Sequence, residues 1–103
     1  MNENDVYNYL GIAQRAGKIV SGENTLLSKG NFNRYMLLVI ATDASEAVKK
    51  RFVNKAINNK VEYLLFGDKE KLGLSIGKSP RTVLALIDRN LSQKIEELIG
   101  GEV

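Results

Sequence analysis

"MLLVIATDASEAVKKRFVNKAINNKVEYLLF", residues 36–66, contains the change of periodicity that decides the fold. Residues 36–41 form a continuous apolar run rich in branched side chains, as expected of a central strand buried on both faces. The chain then switches to helical spacing. With Ser45 or Asp43 as its cap, Val48, Phe52, Val53, Ala56 and Ile57 share one face, and the lysines and Arg51 fall largely outside it. Asn58 and Asn59 suit the turn that closes this helix, and "VEYLLF" returns to a short strand. Strand, helix and strand in succession point to a layered α/β architecture.

Outward from this unit the alternation continues. In residues 4–17, Val6, Tyr9, Leu10, Ala13 and Ala16 recur at helical spacing, and small Gly11 and Ala13 would let that helix lie close to a sheet. "KIVS", 18–21, reads as a strand; Ser21 can cap the next helix, with Glu23 well placed in its first turn. Gly30 suits the left-handed end of that helix, and "NFNRY" reads as a polar loop. Downstream, Asp68 caps a short helix that Gly73 would end, and "LSIGKSPR", 74–81, reads as a loop. "TVLALI" is the last strand, and Asp88 caps a final helix that turns Leu91, Ile95, Leu98 and Ile99 inward. The expectation is one domain over residues 1–103: a three-layer α/β/α sandwich with a roughly four-stranded mixed sheet.

Composition narrows the chemistry. The chain has 103 residues, 44% hydrophobic and 26% charged, with neither cysteine nor histidine. Disulfides, thiolate nucleophiles, imidazole bases and the usual zinc or iron ligands are therefore excluded together. No paired-carboxylate or nucleophile–base constellation is recognisable, so no enzyme and no cofactor is expected. "MNENDVYNYL" is acidic and polar where a signal peptide needs a basic start and an apolar run, and no stretch approaches a membrane span. A cytoplasmic protein without a membrane partner is expected. The net charge of +3 permits a nucleic-acid partner without demanding one. The cations cluster between residues 45 and 60, where Lys49, Lys50, Arg51, Lys55 and Lys60 face only Glu46, while "EELIGGEV" is acidic.

Two segments merit weight as sites. The turn "SGENT", 21–25, bends at a glycine into a helix, exposing backbone N–H groups of the kind that receive anions. It lacks the spacings of nucleotide-binding glycine loops, and taken alone it reads as a capped helix meeting water. The loop Leu74–Arg81 sets Leu74 and Ile76 beside Gly77, Lys78, Pro80 and Arg81, a combination suited to an unstacked base next to its phosphate. It reads otherwise as a connector whose Ile76 fills the core.

"LGIAQRAGKIVSGENT", "LLVIATDASEAVKKR" and "LGLSIGKSPRTVLALID" stand in the order and spacing of a known group. Over nearly its whole length the chain resembles the kink-turn-binding ribosomal protein superfamily, which includes L-seven-Ae and L-thirty-e, and within it the small bacterial YlxQ-type members. The most specific parts are "RAGKIVSGE" and "LGLSIGK". The resemblance implies a three-layer α/β/α fold that binds RNA kink-turns, sharp bends built on tandem sheared G·A pairs. It implies that the strand-to-helix turn enters the bent major groove at Gly22, Glu23, Asn24, Thr25 and Ser28, and that Leu74–Arg81 meets the bulged bases. Family members that bind tightly tend to carry Glu and Lys where Thr25 and Ser28 stand here, and Lys29 falls one residue late.

The functional expectation is thus a non-enzymatic RNA-binding protein of the translation apparatus. Asn24 and Thr25 would read guanine edges, N–H groups at Gly22 to Asn24 would hold phosphate, and Ile76 beside Gly77 would pack on a displaced base. Lys18, Lys29, Lys78 and Arg81 would neutralise backbone. The expected partner is structured RNA, ribosomal or in a leader, with ribosomal proteins as neighbours and the chain a monomer. A protein-interaction adaptor on the same fold, or an accessory RNA-binding subunit of an RNA-modifying enzyme, are the alternatives.

Overall fold

The computed structural model describes residues 3–28 and 31–100. Its helices are α1 (Glu3–Arg15), α2 (Glu23–Ser28), α3 (Glu46–Asn58), α4 (Lys69–Ser75) and α5 (Arg89–Gly100). Its strands are β1 (Ile19–Ser21), β2 (Leu37–Ile40), β3 (Glu62–Leu65) and β4 (Val83–Leu86). They form one mixed sheet in the order β1-β4-β2-β3. β2 and β3, joined by α3, are parallel, and β4 inserts between β1 and β2, antiparallel to both.

β2 and β4 are buried at every position, as two central strands covered on both faces must be. Ala85 lies between Val20 and Leu38, its small side chain sitting where three strands meet. One helical layer is made by α1, α4 and α5, which pack on one another. The other gathers α2, a short 3₁₀ turn (Phe32–Arg34) and α3. There the Tyr35 hydroxyl donates to the Leu26 carbonyl at 3.3 Å, and the Lys55 ammonium lies 5.8 Å over the Phe32 ring. Leu10, Leu26, Leu37, Phe52, Leu72, Leu84 and Ile95 are fully buried in the common core, each contributing about 1.5–3 kcal/mol by leaving water.

Three helix starts follow their local chemistry. Ser45 Oγ accepts from Val48 N at 3.1 Å, and the carboxylates of Asp68 and Asp88 accept from Lys71 N and Leu91 N, both at 2.8 Å. Asp43, the alternative cap for α3, instead accepts from Lys69 N at 3.0 Å.

Elsewhere the structure departs from the local reading. "NFNRY" is no polar loop, because Phe32 and Tyr35, three residues apart, both turn into the core with their rings edge to face at 5.0 Å. Ser21 does not cap α2; it ends β1, and Gly22 takes the cap position, its carbonyl accepting from Leu26 N at 3.0 Å. Gly73 does not end α4, but is buried within it. Gly77, at φ +72°, ends that helix: its N–H reaches the Leu74 carbonyl at 3.0 Å and Lys78 N–H reaches Gly73 O at 2.9 Å. Gly11 serves a close approach to α4 rather than to the sheet, since a Cβ there would stand 3.0 Å from the Ser75 carbonyl. Ala16 and Ile57, expected on apolar faces, are exposed. Gly30 lies outside the described residues.

Candidate functional site

β1 ends at Ser21 beside Leu84 of β4, so the turn into α2 emerges next to the segment that leads into β4. Gly22 N–H donates to the Val83 carbonyl at 3.1 Å, and its φ of +95° is open to glycine at little cost. That N–H is therefore taken and is not available to hold a phosphate. The N–H groups of Glu23, Asn24 and Thr25 follow, ahead of the first intrahelical bond made by Leu26.

Facing this turn, residues 79–82 pass over α4. Gly73 makes the passage possible, because a Cβ there would overlap the Ser79 carbonyl and Pro80 Cα. Two side-chain bonds then join segments about sixty residues apart. The Thr82 hydroxyl donates to Glu23 Oε2 at 2.6 Å, and Arg81 Nε donates to Ser21 Oγ at 3.3 Å. Arg81 Nη1 donates to Ser79 Oγ at 2.7 Å and to the carbonyls of Ser79 and Pro80 at 3.1 and 3.2 Å. The guanidinium is thus held on two of its three nitrogens, Nε and Nη1, and Nη2 carries two further donors.

Between the two segments lies an open cleft of about 460 Å³, lined by Ser21, Gly22, Glu23, Asn24, Thr25, Pro80, Arg81 and Thr82. A second hollow of about 340 Å³ adjoins it across Thr25 and Arg81 and extends to Gln14 of α1, Ile19, Val20 and Lys78. The walls present a carboxylate, an amide, hydroxyls, a guanidinium and a flat proline ring side by side. That set can pair with the mixed donor and acceptor edges of a base and with a phosphate. Among the described residues no group of three or more Asp or Glu side chains could hold a metal, and no helix is long and apolar enough to cross a membrane.

The sequence-predicted residues sort by position. Gly22, Glu23, Asn24, Thr25 and Arg81 line the cleft and Lys78 the adjoining hollow. Ser28 is exposed on the second turn of α2, its hydroxyl turned back to the Thr25 carbonyl at 3.2 Å. Lys18 precedes β1, at the end of the strand away from Ser21, and lines neither hollow. Gly77 shapes the turn after α4. Ile76 is a correction: only 5% exposed, it is packed in the core, and the apolar side chain offered to solvent here is Leu74, 74% exposed. Lys29 lies outside the described residues. Sequence reasoning missed Gln14, Ile19, Val20 and Thr82 as lining residues; Thr82 follows directly on "GKSPR", but its bond to Glu23 crosses 59 positions and leaves no local trace.

The family model described as ribosomal protein L7Ae/L30e/S12e/Gadd45 matches residues 4–96. The chain belongs to that L7Ae/L30e family. Two relatives are each named RNA-binding protein YlxQ. The one from Bacillus subtilis (strain 168) is 36% identical over 90 residues, covering 87% of this chain and 90% of the relative. The one from Enterococcus faecium is 31% identical over 100 residues, covering 97% and 96%. Among solved structures, a protein of unknown function from Bacillus halodurans superposes with a TM-score of 0.85 at 27% identity, over 92% of this chain and 96% of that one. A Giardia lamblia 15.5kD RNA binding protein superposes with a TM-score of 0.76 at 21% identity, over 98% and 89%, which shows the shared L7Ae/L30e fold.

Proposed function

We propose that this chain is a non-enzymatic RNA-binding protein of the translation apparatus that recognises kink-turn-like bends in ribosomal RNA or a structured leader. The observation that carries the reading is the cleft itself. The β1–α2 turn, which overlaps "RAGKIVSGE", and residues 80–82, which follow shortly after "LGLSIGK", form its two walls and are joined by the Thr82–Glu23 and Arg81–Ser21 bonds. The relatives named for RNA binding support RNA as the partner.

In this reading Asn24 and Thr25 read guanine edges, and the N–H groups of Glu23 and Asn24 lie toward phosphate. Lys78 and Arg81 neutralise the backbone, and Leu74 takes the contact with a displaced base. The protein acts in the cytoplasm as a monomer, with ribosomal proteins as neighbours on the RNA.

The test is a titration of two RNAs at several salt concentrations: a stem with tandem G·A pairs and a three-nucleotide bulge, and the same stem with the bulge paired. Tighter binding of the bulged stem at every salt concentration is expected. Equal affinities would reduce the interaction to nonspecific charge.

A further inference from the structure

β3 is the outer strand of the sheet, paired with β2 on one side and with no described strand on the other. Phe66 N donates inward to Ile40 O at 2.9 Å. Alternate residues of a parallel strand direct both backbone groups to the same side, so Glu62, Leu64 and Phe66 face β2 while Tyr63 and Leu65 turn their N–H and C=O outward. The side chains alternate as well. Phe66 packs on Tyr7 of α1 at 5.2 Å, and Glu62 lies near enough to Glu96 of α5 to raise its pKa, so even-numbered side chains face the α1/α5 layer. Tyr63 and Leu65 therefore share the face covered by α3.

On α3, fully buried Ala56 points at the sheet, and its neighbours Lys55 and Ile57 project sideways, each about 100° away. Lys55 lies over Phe32, on the side of the sheet nearer α2 and β1, so Ile57 projects toward β3. Ile57, Tyr63 and Leu65 are 58, 37 and 48% exposed, and they are three of the five large apolar residues exposed among the described residues. A row of exposed apolar side chains along an unpaired edge is what a sheet ordinarily avoids.

Cations border that row. Lys50 lies two turns before Ile57 on the same stripe of α3, and Lys60 stands between Ile57 and Tyr63. Residues 45–60 carry five cations and one carboxylate, a net +4 that exceeds the +3 of the whole chain. Within this cluster the one ion pair among the described residues joins Lys49 to Glu46, at 3.3 Å. Lys60 also takes φ +58°, the only non-glycine residue at positive φ among those described, in a closing turn where its N–H reaches the Ile57 carbonyl at 3.2 Å. Glycine would take that conformation with less strain, so a charge is present where the backbone alone favours none.

We propose that the open edge of β3, with Ile57, Tyr63 and Leu65 and the flanking Lys50 and Lys60, binds an extended protein segment that is apolar on its α3-facing side and acidic at both ends, and that adds to the sheet as a further strand. The free backbone groups supply the pairing, the three side chains the apolar contact, and the net positive charge selects acidic partners. Two copies of this chain meeting edge to edge would bring like charges together, which disfavours self-association.

The experiment titrates a short synthetic peptide that alternates Val and Thr between a pair of Glu residues at each end into the isotope-labelled full chain, followed by amide shifts and hydrogen exchange. Binding should slow exchange at the Tyr63 and Leu65 amides. A peptide with Lys in place of Glu should bind at least about tenfold more weakly. Leu65→Ser, or Ile57→Ser should the first variant fail to fold, should weaken the peptide by a similar factor and leave kink-turn RNA affinity unchanged. Equal affinity for the two peptides, shifts centred away from β3, or binding that survives both substitutions would overturn the proposal. So would a dimer of the free chain that dissociates on Leu65→Ser, or a plain RNA duplex that binds this edge and loses affinity with the same variant.

Discussion

Ile76 and Leu74 sit two residues apart on the same turn and do opposite things. Ile76 closes α4 against the core at 5% exposure, while Leu74 stands 74% exposed. Truncating a buried isoleucine removes transfer energy and leaves a cavity, so Ile76→Ala should destabilise the fold by about 2–5 kcal/mol in urea unfolding. Leu74→Ala has no cavity to leave, so stability should change by less than about 0.5 kcal/mol. Its effect is expected in RNA binding, where the loss should be larger for the bulged stem than for the paired one. If Leu74→Ala binds both stems as the parent does, no base packs on this turn. The same contrast of location against residue type governs Lys60, whose side chain rather than its backbone is worth keeping. Lys60→Gly should raise stability by about 1 kcal/mol in the same assay, because the left-handed position carries that strain for a residue with a Cβ.

At the scale of elements, β3 and α5 bring two carboxylates together. Partial burial and then the nearby Glu62 raise the pKa of Glu96 above the ordinary glutamate value. A raised carboxylate pKa means that the folded state favours the protonated form. The associated stability is fully present below the ordinary value and is lost as pH rises through the raised one. Glu96→Gln should therefore flatten the decline in melting temperature between moderately acidic and neutral pH; an unchanged profile would mean that water screens the pair completely. Element identity was legible wherever its cause is local. The capping side chains of Ser45, Asp68 and Asp88 and the apolar runs of β2 and β4 act within a few residues of themselves. What could not be read was set from a distance. Ser21 bonds Arg81 sixty positions away, and Gly73 yields to Ser79 and Pro80 crossing its helix, so neither performs the local role its residue type suggests. β2 and β4 have the same apolar pattern, and nothing within either strand says that β4 would insert beside β1. The turn residues Gly22–Thr25 and the Lys78–Arg81 segment stood out by their chemistry, but their meeting in one cleft depends on that insertion.

Across the whole molecule, charge and cleft are separated. The residue 45–60 cluster carries more than the entire net charge, whereas the two hollows are lined by Lys78 and Arg81 as cations and Glu23 as an anion. From β1, where the cleft opens, to β3 beneath the outer flank of α3 is three strand spacings, about 14 Å, beyond the screening length of about 8 Å at physiological salt. An RNA seated in the cleft should thus release few counterions, and its salt dependence should report cleft cations alone. Lys78→Ala is expected to reduce the log–log salt slope by about one, with affinity for all RNAs falling together. Asn24→Ala should cost roughly 1–3 kcal/mol on the bulged stem while leaving the slope unchanged, because an amide reading a base edge releases no ion. The double substitution Lys50→Gln, Arg51→Gln removes two cations from α3 and should change neither slope nor affinity for that stem. These four proteins titrated over one salt series separate the surfaces: a slope that falls with the α3 substitutions and holds with Lys78→Ala would place the RNA across α3 and remove the cleft from the account of binding.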